Sequence, residues 1–140
     1  MSNHQEIDNF NKLQAHEVRN KVSIDFDGVI HKSTKGFKDG GIYDPPIEGT
    51  KEALRWFKKQ GYRVAIYTAK VNPDRPLVKG KTGKELIDQW LREHGIDQLV
   101  DEVTCIKPRA LVYIDDRALR FHSWQQALSD FQEIVENERA

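Results

Sequence analysis

The segment Val22-Ser23-Ile24-Asp25-Phe26-Asp27-Gly28-Val29-Ile30 sets two aspartates one residue apart at the end of an apolar run. An apolar run closed by glycine reads as a buried strand that ends in a turn, and open α/β folds bind their ligands beyond that end of the strands. If the strand continues through both aspartates, strict alternation points the two carboxylates the same way. Like charges so close need a proton or a cation between them, and a hard divalent metal resolves the conflict. The competing reading is an Asp-rich turn that ends a strand and does nothing more.

Three further polar features each follow an apolar run of their own. Thr68 closes Tyr62-Arg63-Val64-Ala65-Ile66-Tyr67, Lys107 follows Glu102 to Ile106, and Asp115-Asp116 follows Leu111-Val112-Tyr113-Ile114. Singly, each has an ordinary explanation: a cap hydroxyl, a solvated loop lysine, an Asp-rich helix start. Their succession, each behind its own strand, is harder to attribute to turn chemistry, because a parallel sheet gathers all such ends on one edge.

The elements that position these residues follow from hydrophobic period and punctuation. Strands are expected at Val22 to Phe26, Tyr62 to Thr68, Glu102 to Ile106 and Leu111 to Ile114. Asp44-Pro45-Pro46 is expected to open a helix from Ile47 to Gln60, with Ala53, Leu54, Trp56 and Phe57 toward the core and Gly61 past its end. A second helix is expected from Lys84 to His94, stopped by Gly95, and a last one from Trp124 to Asn137, with Ser123 as N-cap and Phe121 and Trp124 as anchors. Residues 1–20 read as a weak amphipathic helix or an arm, with Ile7, Phe10, Leu13 and Val18 loosely spaced. Strands alternating with helices predict an α/β fold: a Rossmann-like, doubly wound parallel sheet flanked by helices, in a single domain over 21–140.

The ordered set of Asp25-Phe26-Asp27-Gly28-Val29, Thr68, Lys107 and Asp115-Asp116 resembles the haloacid dehalogenase superfamily of hydrolases. The resemblance runs from about Lys21 to Arg120, and the segments Ile106-Lys107-Pro108 and Tyr113-Ile114-Asp115-Asp116-Arg117 look like those of its small phage and bacterial members. It implies a Mg²⁺-dependent phosphomonoesterase in which Asp25 is the nucleophile and carries an aspartyl phosphate. It implies that Asp27 serves as general acid and then base, and that Thr68, the Ala69 segment and Lys70 bind the phosphoryl group. Lys107 is then expected to compensate the acidic cluster, and Asp25, Asp115, Asp116 and the backbone carbonyl of Asp27 to hold the metal. Where members of the superfamily often carry Arg two residues after the strand-two threonine, this chain carries Lys70, which keeps the charge and loses the bidentate fork. The alternative reading is a phospho-switch or phosphate-binding module without turnover.

Neither the interval after Asp27 nor the one after Thr68 has room for a folded cap domain, so the resemblance implies an open, capless site with large substrates or a neighbouring subunit as lid. Lys32, Lys35, Lys38, Lys70, Arg75, Lys79, Lys81 and Lys84 fall in these two regions and read as a basic rim, with Phe37 and Tyr43 able to stack on a base. Nucleotides or phosphorylated nucleic-acid ends are the substrate class this favours. His31 reads as a surface-loop histidine. Whole-chain charge argues for nothing, since 22 basic residues balance 22 acidic ones. Cys105, the single cysteine, excludes an intrachain disulfide and reads as a small buried hydrophobe. No apolar stretch is long enough to span a membrane, and the polar start has no signal-peptide core, so a cytoplasmic protein is expected.

Overall fold

The computed structural model describes residues 4–9 and 18–139. Four strands, β1 (Lys21–Asp25), β2 (Arg63–Tyr67), β3 (Glu102–Thr104) and β4 (Val112–Ile114), form one all-parallel sheet in the order β3-β2-β1-β4. Helices α1 (Thr50–Lys59), α2 (Gly83–Glu93) and α3 (Trp124–Arg139) accompany it, so the chain is α/β with a parallel sheet flanked by helices. From β1 to β3 the chain winds steadily outward, and it then crosses back to place β4 on the other side of β1. That reversal opens a crevice beyond the carboxyl ends of β1 and β4, where open α/β sheets place their ligands.

Alternation decides which face of the sheet each side chain joins, and the two central strands are buried on both faces. Val22, Ile24, Val64 and Ile66 share one core cluster with Leu54 of α1, Ile87, Trp90 and Leu91 of α2, and Ile30 and Ile96 from loops. Full burial of each such aliphatic side chain contributes about 1.5–3 kcal/mol, enough to fix the register of the two central strands. Lys21, Ser23 and Asp25 alternate with that set, and Lys21 Nζ reaches Glu102 Oε2 at 3.0 Å along the sheet.

Several expectations shift in instructive ways. Helix α1 starts at Thr50 and not at Ile47, because Pro46 bridges His31 and the Ile47 N–H donates to the Ile30 carbonyl at 2.8 Å; Gly49, at φ 89°, then turns the chain into the helix. Trp56 and Ala53 face solvent, leaving Leu54 and part of Phe57 to pack. Phe121 and Trp124 do not anchor α3 in the core: their rings meet edge to face, centroids 5.4 Å apart, and both are mostly exposed. Ser123 does cap α3, accepting from the Gln126 N–H at 3.2 Å. Cys105 is only half-buried. The N-terminal segment is helical at 4–9 and 18–19; Phe10 and Leu13 lie outside the described residues.

Helix α2 is positioned by a capping box, in which Thr82 Oγ1 accepts from the Glu85 N–H while Glu85 reaches back to the Thr82 N–H. Its first residue, Gly83, lies against the Lys70 backbone so closely that a Cβ there would meet the Lys70 carbonyl oxygen at 1.7 Å. The loop after β2 is thus pinned to the start of α2 through a position only glycine fills. Gly83→Ala is expected to lower stability by about 1–3 kcal/mol through forced backbone displacement. The check is the midpoint of urea unfolding, and a wild-type midpoint would show that the helix moves aside freely.

Candidate functional site

Strand register brings the chemistry-bearing residues to one edge. Ile24 pairs with Ile114, so Asp115 follows level with Asp25; Asp25 pairs with Tyr67, so Thr68 lies one step beyond; and Tyr67 pairs with Thr104, three residues before Lys107. The carboxylates of Asp25, Asp115 and Asp116 converge, with one oxygen of each within 4.8 Å of the others.

Asp116 reaches this cluster through a specific close approach. Gly28 has φ +87°, and a Cβ there would stand 2.3 Å from Asp116 Oδ2, so the absence of a side chain lets the two loops meet. Asp115 is held by the Arg117 N–H, which donates to its Oδ1 at 2.7 Å. Burial pushes the Asp25 carboxyl up to about 6; the Phe26 N–H, donating to Oδ1 at 2.9 Å, opposes this, while the negative charges of Asp115, Asp116 and Asp27 add to it. Three converging carboxylates, all oxygen donors, with Asp115 and Asp116 adding to the cost of ionising Asp25, fit a hard divalent cation.

Asp27 is not a member of this trio. The strand stops at Asp25, and the Phe26 carbonyl accepts from the Ile30 and His31 N–H groups in a tight turn, so alternation does not carry through to Asp27. Its Oδ2 instead accepts from Lys70 Nζ at 3.0 Å and its Oδ1 from His31 Nδ1 at 2.7 Å. Partial burial would raise the Asp27 carboxyl, but the bonds from His31 and Lys70 outweigh it and hold the group below the usual carboxylate range.

His31 is the functional residue that sequence reasoning missed. It is no surface-loop residue: only 2 % exposed, it stacks on Phe26 and meets the edge of Trp90. Its Nε2 accepts from the Asp44 N–H at 3.1 Å, which leaves the proton on Nδ1 and makes that nitrogen the donor to Asp27. Its position four residues after Asp27, with prolines available to close a bridge, was the signal that could have found it. Lys70, expected among solvated rim residues, is likewise buried.

Thr68 caps the short 3-10 turn Ala69–Val71, its Oγ1 accepting from the Lys70 N–H at 3.2 Å, and its own N–H donates to the Thr104 carbonyl at 2.9 Å. Ala69 is exposed. Lys107 makes no ion pair among the described residues; its Nζ stands over the Tyr113 ring, 4.6 Å from the centroid. Lys107, Tyr113, Tyr67 and Ser23 line a cavity of about 610 Å³ that reaches Asp25 and Asp115. At the rim, Lys35 and Lys38 stand over the Tyr43 ring and Arg75 over Phe37, while the Tyr43 hydroxyl donates to Asp39. Comparison with known protein families, with curated proteins and with solved structures finds no match to this chain.

Two outcomes follow from this geometry. Without metal, the folded chain holds the Asp25 proton more tightly than an unfolded chain with its carboxyl near 3.8, so stability falls as pH rises from about 4 through about 6. In EDTA, Asp25→Asn is therefore expected to stabilise the protein at pH 7 by about 1–2 kcal/mol, a figure already reduced for solvent screening, and to give no gain below about pH 4. Equal thermal midpoints for the two proteins at pH 7 would remove the electrostatic strain assigned to Asp25. Separately, Gly28→Ala is expected to push Asp116 away and weaken divalent-metal binding by about tenfold or more, read by titration calorimetry with Mn²⁺. Unchanged affinity would exclude Asp116 from the ligand set.

Proposed function

We propose that this chain is a Mg²⁺-dependent phosphomonoesterase of the haloacid dehalogenase type, working through an aspartyl phosphate on Asp25 and acting on nucleotides or phosphorylated nucleic-acid ends. The observation that carries the reading is the division of labour among the acids at the β1/β4 switch point. Asp25, Asp115 and Asp116 converge without an ion pair to any of them among the described residues, while Asp27 is set apart between Lys70 and His31. Acids placed in such different environments are suited to different roles.

Asp25, Asp115 and Asp116 would hold the metal, which when bound supplies positive charge to the phosphoryl oxygens and lowers the cost of ionising Asp25. The Asp25 carboxylate attacks phosphorus, and the bond from phosphorus to the ester oxygen breaks as that oxygen takes a proton from Asp27. Water then attacks the phosphoryl group, Asp27 takes its proton, and inorganic phosphate leaves with Asp25 restored.

The pairing with Lys70 explains how one carboxyl group serves both halves. While the ammonium holds Oδ2, Asp27 stays ionised and suits the base step. When Lys70 turns to a phosphoryl oxygen, Asp27 loses its cation, its proton affinity rises, and the acid step becomes accessible. His31 Nδ1 keeps the carboxyl oriented throughout. The exposed aromatic rings flanked by Lys35, Lys38 and Arg75 support a base-bearing polyanion as the leaving group, because stacking and cationic charge are offered together.

The test is steady-state phosphate release from nucleoside monophosphates and from 3′- and 5′-phosphorylated oligonucleotides, with Mg²⁺ or EDTA. Turnover that needs Mg²⁺ and falls about 10²–10⁴-fold in Asp27→Asn is expected. Folded, metal-binding protein that releases no phosphate from any substrate in the panel overturns the reading. A stoichiometric, long-lived aspartyl phosphate in its place would support the switch.

A further inference from the structure

Asp44 is the residue on which the loop after β1 closes. Its carboxylate accepts from the Thr34 N–H at 2.6 Å and from the Thr34 hydroxyl at 2.9 Å, which draws the two ends of the loop together. Its carbonyl accepts from Trp90 Nε1 of α2 at 3.0 Å, and Pro45 behind it narrows its backbone freedom. Held on these sides, the Asp44 N–H points at His31 Nε2, 3.1 Å away. The Asp44 carboxylate stands 3.9 Å from that nitrogen and is committed to Thr34, so the backbone N–H is the ring's partner.

This contact decides which oxygen of Asp27 can carry a proton. A neutral imidazole has one donor and one acceptor, and an Nε2 that accepts leaves the hydrogen on Nδ1. Nδ1–H then occupies Asp27 Oδ1 at 2.7 Å, where an arriving proton would face another proton. Oδ2, on the Lys70 side, is left as the site. In the other tautomer Nδ1 would accept from a protonated Oδ1, and the acid's hydrogen would point at a buried ring instead of at a substrate.

We infer that Asp44 is a positioning residue for Asp27, acting through His31: by holding the loop closed it keeps the ring in the Nδ1–H tautomer and directs the acid's proton to Oδ2. The inference rests on the proposed activity. The Oδ2–H bond breaks as its proton passes to the ester oxygen, which keeps the electron pair of the breaking bond to phosphorus. The water that later attacks phosphorus gives a proton back to the same Oδ2.

Two readouts test it. In the full chain at about pH 8, where imidazole side chains are ordinarily neutral, long-range proton–nitrogen NMR correlation is expected to show His31 as the Nδ1–H tautomer alone. The Nε2–H form is expected to appear in Asp44→Ala, and Asp44→Asn, which can still bind Thr34, should restore the wild-type pattern. With Mg²⁺, kcat/KM for a nucleoside monophosphate is expected to fall about tenfold in Asp44→Ala, and that for para-nitrophenyl phosphate, whose leaving group needs little protonation, by about twofold or less. Asp44→Asn should stay close to wild type on both, whereas a purely structural loss would lower both equally. His31 as Nε2–H in the wild-type chain, equal losses on the two esters, or Asp44→Asn no better than Asp44→Ala overturns the inference. The spectrum needs no turnover: a chain that shows Nδ1–H and releases no phosphate counts against the proposed activity, while one that releases phosphate with His31 as Nε2–H counts against the role of Asp44 alone.

Discussion

The parallel register of β1 with β4 is the constraint on which the site depends. Pairing Ile24 with Ile114 brings Asp115 level with Asp25, and the turn that follows carries Asp116 against Gly28. Three carboxylates are thereby held together by backbone geometry, although their charges favour separation. The apolar core supplies the opposing force: Ile24, Val64 and Ile66 cannot slip by one residue without turning every buried side chain of the central strands to the opposite face.

A second constraint acts on the other side of the switch point. Lys70 is buried because the turn that bears it is fixed from both ends, by the Thr68 cap and by the contact between its backbone and Gly83. A buried ammonium needs an anion, and Asp27 is the anion within reach. His31, held by the Asp44 N–H and the rings of Phe26 and Trp90, fixes the other oxygen. Packing far from the acidic trio thus decides the environment of Asp27, and the separate roles proposed for Asp25 and Asp27 rest on that difference.

Much of this was legible in the residues. Four strands, their alternation with helices and the placement of Asp25, Thr68, Lys107 and Asp115-Asp116 at or beyond strand ends could all be read from apolar runs and their punctuation. What could not be read was set by long-range contacts. Whether Asp27 continues a strand depends on hydrogen bonds to the Phe26 carbonyl, and whether His31 is buried depends on the bridge to Pro46, fifteen residues on. Lys70 was singled out by its place two residues after Thr68, but nothing local showed that it is buried where Lys79 and Lys81 are not. The helical period of α3 was visible, but the packing of its apolar face was not, and Phe121 and Trp124 end exposed where anchors were expected.

The decisive measurement is borohydride trapping during turnover of a phosphate ester with Mg²⁺, followed by mass spectrometry of the peptide spanning residues 21–32. Hydride reduces an aspartyl phosphate to homoserine, and the account requires that change at position 25, dependent on both the ester and the metal. An unmodified Asp25 in protein that is turning over, or homoserine at position 27 instead, would show that the nucleophile has been assigned to the wrong group.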